Sequence, residues 1–176
     1  MAQPKRSPRL SFEIDKLTRS IEEVATGENF PTLILPLHPM DLKEVTKKKG
    51  WSFDWRLEFK TSGRITFKIV TAAQPDMIQG LVSLELEPDH VVMTLVESAP
   101  FNQGRNKRFA GVLGNLVAYV CKVSFEHGFD GNVVFRAKTR LIDHYEKELN
   151  AVHVGGHLMV IFPGPARYLV DQYFPQ

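Results

Sequence analysis

One stretch constrains this chain more than any other. Arg108-Phe109-Ala110-Gly111-Val112-Leu113-Gly114-Asn115 lies between an apolar run (Val91 to Val96) and a helix-patterned segment (Leu116 to His127). A strand that passes through a glycine-bearing turn into a helix leaves the first-turn N–H groups without intrahelical partners, and the helix dipole adds positive character there. Such a terminus is an anion site. Glycine at 111 and 114 permits backbone angles that a β-carbon blocks, and lets a phosphate come close. Two common phosphate loops are excluded by spacing: the chain has no G-x-x-x-x-G-K-[ST] and no G-x-G-x-x-G after a first strand.

The remaining pattern sets the elements around that turn. Residues 1–10 are polar and proline-rich, which predicts disorder. Leu17, Ile21 and Val24 make a short stripe of helical period across 15–26, with Gly27 suited to its C-cap. Phe30 to Leu37 reads as a strand, and Asp41 to Lys49 as a helix closed by Gly50. Trp51, Phe53, Trp55, Leu57 and Phe59 alternate with polar residues as a strand would, yet Asp54 can cap a short helix in the same place.

Arg64 to Thr71, Ile78 to Leu86 and His90 to Glu97 read as three strands, the last two joined by the turn Glu87-Pro88-Asp89. The third is apolar on both faces and therefore central. The helix that follows carries Leu113, Leu116, Val117, Val120 and Ser124 on one stripe and ends at Gly128. Asn132 to Ala137 is another buried strand. Thr139 can cap a helix whose apolar face is Leu141, Ile142, Tyr145 and Leu149. His157 to Phe162 pairs with Ala151 to Val154 through Gly155-Gly156, and a last helix starts near Pro165. The order β-α-(α)-β-β-β-α-β-α-β-α requires antiparallel strands first, then a right-handed β-α-β crossover to a parallel neighbour.

At 176 residues, 43% of them apolar and 24% charged, one core-bearing domain is expected. Residues 1–29 read as an N-terminal extension and 30–176 as the folded domain. A net charge of +2 demands neither a nucleic-acid nor a membrane partner. Basic residues cluster at Lys47-Lys48-Lys49, which suits a solvated helix end, and from Arg105 to Arg108, beside the glycine turn, which suits a phosphate. Cys121 is the only cysteine, and its place on the helix suits a core thiol better than a nucleophile. His144, His153 and His157 lack a third partner at metal-ligand spacing, so no metal is expected. The absence of a transmembrane-length apolar run and of a secretory h-region predicts a cytoplasmic protein.

Arg108-x-x-Gly111-x-Leu113, followed by Gly114, resembles the Q/R-x-x-G-x-G/A pyrophosphate signature of the GCN5-related N-acetyltransferase (GNAT) superfamily, with Leu113 where that family has Gly or Ala. The resemblance runs over roughly residues 30–162 in element order. Glu97-Ser98-Ala99-Pro100-Phe101-Asn102 is similar to the family's E-x-A-P-x-N approach to the glycine turn. Leu141 to Leu149 resembles its N-x-x-A-x-x-x-Y-E-K-x-G-F block, with Lys138 for the Asn, Leu141 for the Ala, and Glu148-Leu149-Asn150 in place of the ending. The fold so implied is α/β (α+β): a GNAT-like mixed, mostly antiparallel central sheet of six to seven strands with helices on both faces, splayed between its fourth and fifth strands where pantetheine lies.

The activity so implied is transfer of an acetyl group from acetyl-CoA to an amine by direct attack in a ternary complex. In that scheme the amides of Phe109, Ala110, Gly111, Val112, Leu113, Gly114 and Asn115 cradle the pyrophosphate, and Arg108 adds charge. Main-chain groups of Ser98 and Ala99 pair with pantetheine like an added strand. Tyr145 protonates the leaving thiolate. Glu97 ends the central strand on the side of Val91, Met93 and Leu95, where partial burial would suit it to act as base, with Glu85 as alternative. His144 suits either the acceptor pocket or solvent, and Trp51 and Trp55 suit the core or the pocket wall. Two other readings stay open: an acyl-CoA-binding regulatory module that has lost turnover, and a toxin-like acetyltransferase acting on aminoacyl-tRNA. The apolar C-terminal helix would suit a homodimer contact.

Overall fold

The computed structural model describes residues 9–15 and 20–175. In chain order come β1 (Ile21–Glu23), β2 (Asn29–Phe30), β3 (Thr32–Pro36), two 3₁₀ turns (Pro39–Glu44 and Lys47–Lys49), α1 (Trp55–Lys60), β4 (Arg64–Thr71), β5 (Gly80–Leu86) and β6 (Val91–Ser98). A 3₁₀ turn (Pro100–Asn102), β7 (Phe109–Ala110), α2 (Val112–Glu126), β8 (Val133–Arg136), a further 3₁₀ turn (Thr139–Leu141), α3 (Ile142–Leu149), β9 (Val152–Gly155), β10 (Leu158–Ile161) and α4 (Pro163–Tyr173) follow.

Seven strands form the central sheet in the order β3-β4-β5-β6-β8-β10-β9, antiparallel except for β6 with β8. Helices cover both faces. On one, α2 and α4 pack over Val82, Leu84, Met93 and Phe135; on the other, Leu42, Val45, Trp51 and Trp55 pack over Leu81 and Leu95. This is the GNAT-like sheet that the element order implied. The antiparallel block of β4, β5 and β6 lies where the alternating apolar residues put it, and β9 and β10 pair through the Gly155-Gly156 turn.

The β6–β8 junction matters most. Register is kept only at Val91↔Val133 and Val92↔Val134, while β6 runs on to Ser98, so the two strands part after their first residues. A bulge accompanies the parting. Ser83 faces Leu95 and Leu84 faces Met93, which leaves Thr94 as the extra residue on β6. A bulge bends its strand and shifts the side-chain alternation by one. Val91, Met93 and Val96 therefore belong to the core under α2, whereas Leu95 joins Trp51 and Trp55 on the other face. Glu97 consequently does not share a side with Val91 and Met93, as uninterrupted alternation had predicted.

Other boundaries differ for local reasons. Within the expected helix over 15–26, Ile21–Glu23 forms β1, which pairs with both β2 and β7 as a separate three-stranded ribbon. Gly27 sits in its hairpin turn at φ 72°, donating to Glu23 O (2.8 Å). Leu17 and the segment Met1 to Pro8 lie outside the described residues. Pro31, which has no N–H to offer a ladder, divides the strand expected over 30–37 into β2 and β3. The helix over 41–49 is two 3₁₀ turns closed by Gly50 at φ 99°. Residues 51–60 resolve in favour of a helix: Asp54 accepts from Leu57 N (3.0 Å) and caps α1. Thr139 lies inside a 3₁₀ turn and caps nothing; α3 starts from Leu141. Finally, α2 begins at Val112, ahead of the helix-patterned segment from Leu116 and one residue before Leu113 of its apolar stripe, so Gly114 and Asn115 are helical.

Candidate active site

The glycine turn forms as its composition demands. Gly111 is the N-cap of α2 with φ 85°, a left-handed conformation that L side chains seldom adopt. Asn115, one turn on, donates from Nδ2 to Gly111 O (2.8 Å) and fixes that corner. The cradle is narrower than the whole span 109–115. Phe109 N donates to Asn102 Oδ1 (3.0 Å), Ala110 pairs with Glu22 in the ribbon, and Asn115 N closes the first helical bond onto Gly111 O (3.1 Å). The N–H groups of Val112, Leu113 and Gly114 are those of the first helical turn, which the helix itself cannot satisfy.

At the end of β6 the main chain alternates between its two neighbours. Ala99 N donates to Gln79 O (2.9 Å) and so faces the β5 side. Ser98 faces the gap, where its carbonyl accepts from Gln103 Nε2 (2.7 Å). Asn102, buried, ties the corner together by donating to Gln79 O (3.2 Å) and Gln79 Oε1 (2.9 Å). Of the two residues expected to line the gap, Ser98 does and Ala99 is turned away.

Tyr145 projects from α3 into the same gap. Its ring is 1% exposed and stands edge-on to Phe135 at 5.5 Å. Burial pushes its phenol well above the ordinary tyrosine value, with Glu13 adding to the rise and Arg140 opposing it. The hydroxyl donates to the carbonyl of Phe12 (2.5 Å).

That partner belongs to a segment on which the sequence reading placed no site. Residues 10–15 cross the gap between β6 and β8. Leu10 N donates to Arg136 O (2.6 Å) and Lys138 N donates to Leu10 O (3.1 Å), a parallel bridge beside Ala137. Ala137 itself bonds His157 on the β10 side, so the segment occupies the β8 edge that faces β6. Ile14 N donates to His144 Nε2 (2.8 Å), and Arg140 donates to Ser11 O (3.2 Å). Asp15 ends the crossing at the glycine turn: Oδ1 accepts from Gly111 N (3.2 Å) and Oδ2 meets Lys107 Nζ (3.0 Å). Beside the segment remains a cleft of about 410 Å³, lined from the β6 side by Ser98, Asn102, Gln103 and Lys107 and from α2 by Val112 and Leu113.

The other expected residues are placed as follows. Glu97 is fully buried, and its carboxylate accepts from Ser52 N (2.7 Å), Phe53 N (3.2 Å) and Trp55 Nε1 (2.8 Å). Glu85 pairs with Arg64 (3.1 Å). Arg108 is exposed, its guanidinium 5.1 Å from the Phe109 ring centre and bordering a hollow with Glu23 and Phe30; the cations that line the cleft are Lys107 and Arg140. Cys121 is buried in the core, where burial pushes its thiol up to about 12. His144 is half-buried against Ile14. Among the described residues no group of three or more His, Cys, Asp or Glu is placed to hold a metal, and no helix is long and apolar enough to cross a membrane.

Sequence reasoning missed Phe12, Asp15, Gln103 and Arg140, and did not single out Lys107 from its basic cluster. A signal for the crossing segment existed. Leu10, Phe12 and Ile14 alternate with Ser11, Glu13 and Asp15, a period-two pattern that the expectation of disorder through residue 10 and a helix from 15 passed over. Leu10 and Ile14 are 1% and 3% exposed.

No family model matches this sequence, and no curated protein does. Solved structures do match. Mutant forms of the spermidine/spermine N-acetyltransferase SpeG from Vibrio cholerae align with a TM-score of 0.55 and 14% identity, over 78% of this chain and 98% of theirs. A chimera of the Vibrio cholerae spermidine N-acetyltransferase and hSSAT aligns with a TM-score of 0.55 and 17% identity, again over 78% and 98%. A point mutant of SpeG gives 0.56 and 14% over 77% of this chain and 96% of that one. At such identity the likeness is one of fold.

Proposed function

We propose that this chain is an acetyl-CoA-dependent N-acetyltransferase whose coenzyme cleft is the gap between β6 and β8. One observation carries the reading. A single short segment touches the β8 edge with Leu10, the Tyr145 hydroxyl with Phe12 and the α2 amide corner with Asp15. Leu10 and Asp15 are five residues apart, no more than about 18 Å of extended chain, so a strand edge, a phenol and an anion-binding helix end lie along one short crossing. A thioester with an anionic tail needs those three features.

In this reading the N–H groups of Val112, Leu113 and Gly114 hold the diphosphate, with Lys107 supplying the charge expected of Arg108. The main chain of Ser98 pairs with the pantetheine arm. An uncharged amine attacks the thioester carbon; the tetrahedral intermediate collapses, and the sulfur leaves as thiolate towards Tyr145. Burial keeps the Tyr145 proton in place across neutral pH, so the hydroxyl is available to donate. Glu97, with three donors already on its carboxylate, is a positioning residue for the Ser52–Trp55 wall, and the attacking amine gives its proton to water.

The rival reading is a coenzyme-binding module without turnover. It is favoured by Phe12 and Asp15, which sit on the two groups the chemistry would use. Calorimetry with acetyl-CoA and a free-thiol assay over a panel of amines separate the two. We expect binding, thiol release, and loss of both in Gly111→Trp with circular dichroism preserved. Tyr145→Phe is expected to lower turnover more than affinity. Binding without thiol release for any amine would favour the module, and unchanged affinity in Gly111→Trp would remove the coenzyme from this site.

A further inference from the structure

We infer that residues 10–15 are a built-in competitor for the cleft: seated, they hold it closed, and acyl-CoA enters as they leave. The inference rests on reading the cleft as a coenzyme site, and goes beyond that reading by giving the N-terminal segment a regulatory role. Two contacts of the segment fall on groups that a pantetheine-diphosphate arm would use, and a third fills the gap in which that arm would lie. The main chain of Leu10 pairs with a strand edge in the gap. The Phe12 carbonyl takes the Tyr145 proton donor. The Asp15 carboxylate puts a negative charge on Gly111 N and on Lys107.

The last contact makes the two occupants exclusive. A diphosphate on the first turn of α2 would bring its charge against the Asp15 carboxylate, and the two anions would compete for Gly111 N and Lys107. The segment is held unevenly along its length. Its buried anchors are Leu10 and Ile14, whereas Glu13 and Asp15 are exposed and the Lys107–Asp15 pair is partly open to solvent, hence weak and screened by salt. A ligand that binds only the open state has its apparent affinity reduced by the fraction of molecules that are open. Weakening the seated state must therefore tighten coenzyme binding.

The test uses the full chain, wild type and Asp15→Ala, titrated with acetyl-CoA by calorimetry at fixed salt. Amide hydrogen exchange is followed at Leu10 and Ile14 with and without coenzyme. We expect Asp15→Ala to bind about tenfold more tightly, the loss of one charge-assisted contact in the closed state. Saturating coenzyme is expected to speed exchange at Leu10 and Ile14 in the wild type, a readout that stands even if the variant fails to fold. Equal or weaker binding by Asp15→Ala, with Leu10 and Ile14 still protected in the complex, would overturn the competitor and make the segment a fixed wall of the site, leaving the coenzyme reading intact. No binding of acetyl-CoA by either protein would overturn the coenzyme reading, and the competitor with it.

Discussion

The two ends of β6 are held in place by different kinds of interaction. At its start Val91 and Val92 pair with Val133 and Val134, and the neighbouring side chains Val91, Met93, Val133 and Phe135 are 0% exposed. At its end β8 has left, and polar side chains surround the strand, of which Gln103 meets its main chain on the gap side. Gln103 caps the Ser98 carbonyl, Glu97 gathers the Ser52–Trp55 wall, and Asn102 ties Gln79 to Phe109. A parallel pair that begins together and then parts must find other partners for its backbone. On the gap side the substitute is Gln103, and the gap is where a ligand can lie.

The comparison can be broken most sharply at Glu97. Glu97→Ala leaves the buried Trp55 indole N–H and the two part-buried amides of Ser52 and Phe53 without an acceptor, and a cost of about 3 kcal/mol is expected from urea unfolding. Glu97→Gln, which keeps acceptor capacity on one oxygen, should recover part of it. A cost below about 1 kcal/mol for the alanine variant would mean that the wall stands without its carboxylate, and that the open end is held by burial after all. Asn102→Ala should cost about 2 kcal/mol, since it strands Phe109 N–H and one partner of Gln79 in a buried corner. It should also loosen the approach to Gly111, seen as faster amide exchange at Phe109 than in the wild type; unchanged exchange there would show that β1 alone holds the turn.

The same division decides what could be read from the sequence. Period-two patterns sufficed for β4, β5 and the start of β6, because each strand is covered on a face and the apolar residues say which. They failed at Thr94, where one extra residue reverses the alternation and sends Glu97 to the face of Trp55. No local pattern announces a bulge inside an apolar run. The glycine turn was legible because a positive φ followed by a helix leaves few alternatives to Gly111; the apolar face of α3 was enough to place Tyr145 against the core, whereas its catalytic role was implied only by the family resemblance. Lys107 and Arg108 are neighbours with equal charge, and only the direction of β7 decides that the first reaches the cleft. The alternation of residues 10–15 was readable but their place in the fold was not: their partners, Arg136, Lys138, His144 and Gly111, lie more than 90 residues away, and six residues of alternation near a polar terminus do not reveal what they pair with.

At the paired end, burial should be measurable through Cys121, which sits on α2 over the sheet with its thiol pushed from 9.0 up to about 12 by desolvation. The unfolded chain gives up this proton at the lower value and the folded chain holds it, so the contribution to stability is complete below pH 9 and is lost as the pH climbs towards 12. By pH 10 the loss should reach about 1 kcal/mol, the smallest effect in this set. Tyr145 titrates in the same direction from 10.0, for the same reason of burial, so the slope of the wild type alone mixes the two groups. Cys121→Ala separates them. It should be less stable at neutral pH for want of a packed sulfur, yet its stability should fall less steeply between pH 8 and 10 than that of the wild type. Parallel slopes for the two proteins would mean that the thiol meets water in the folded state, and that the closed half of the sheet is looser than its apolar residues imply.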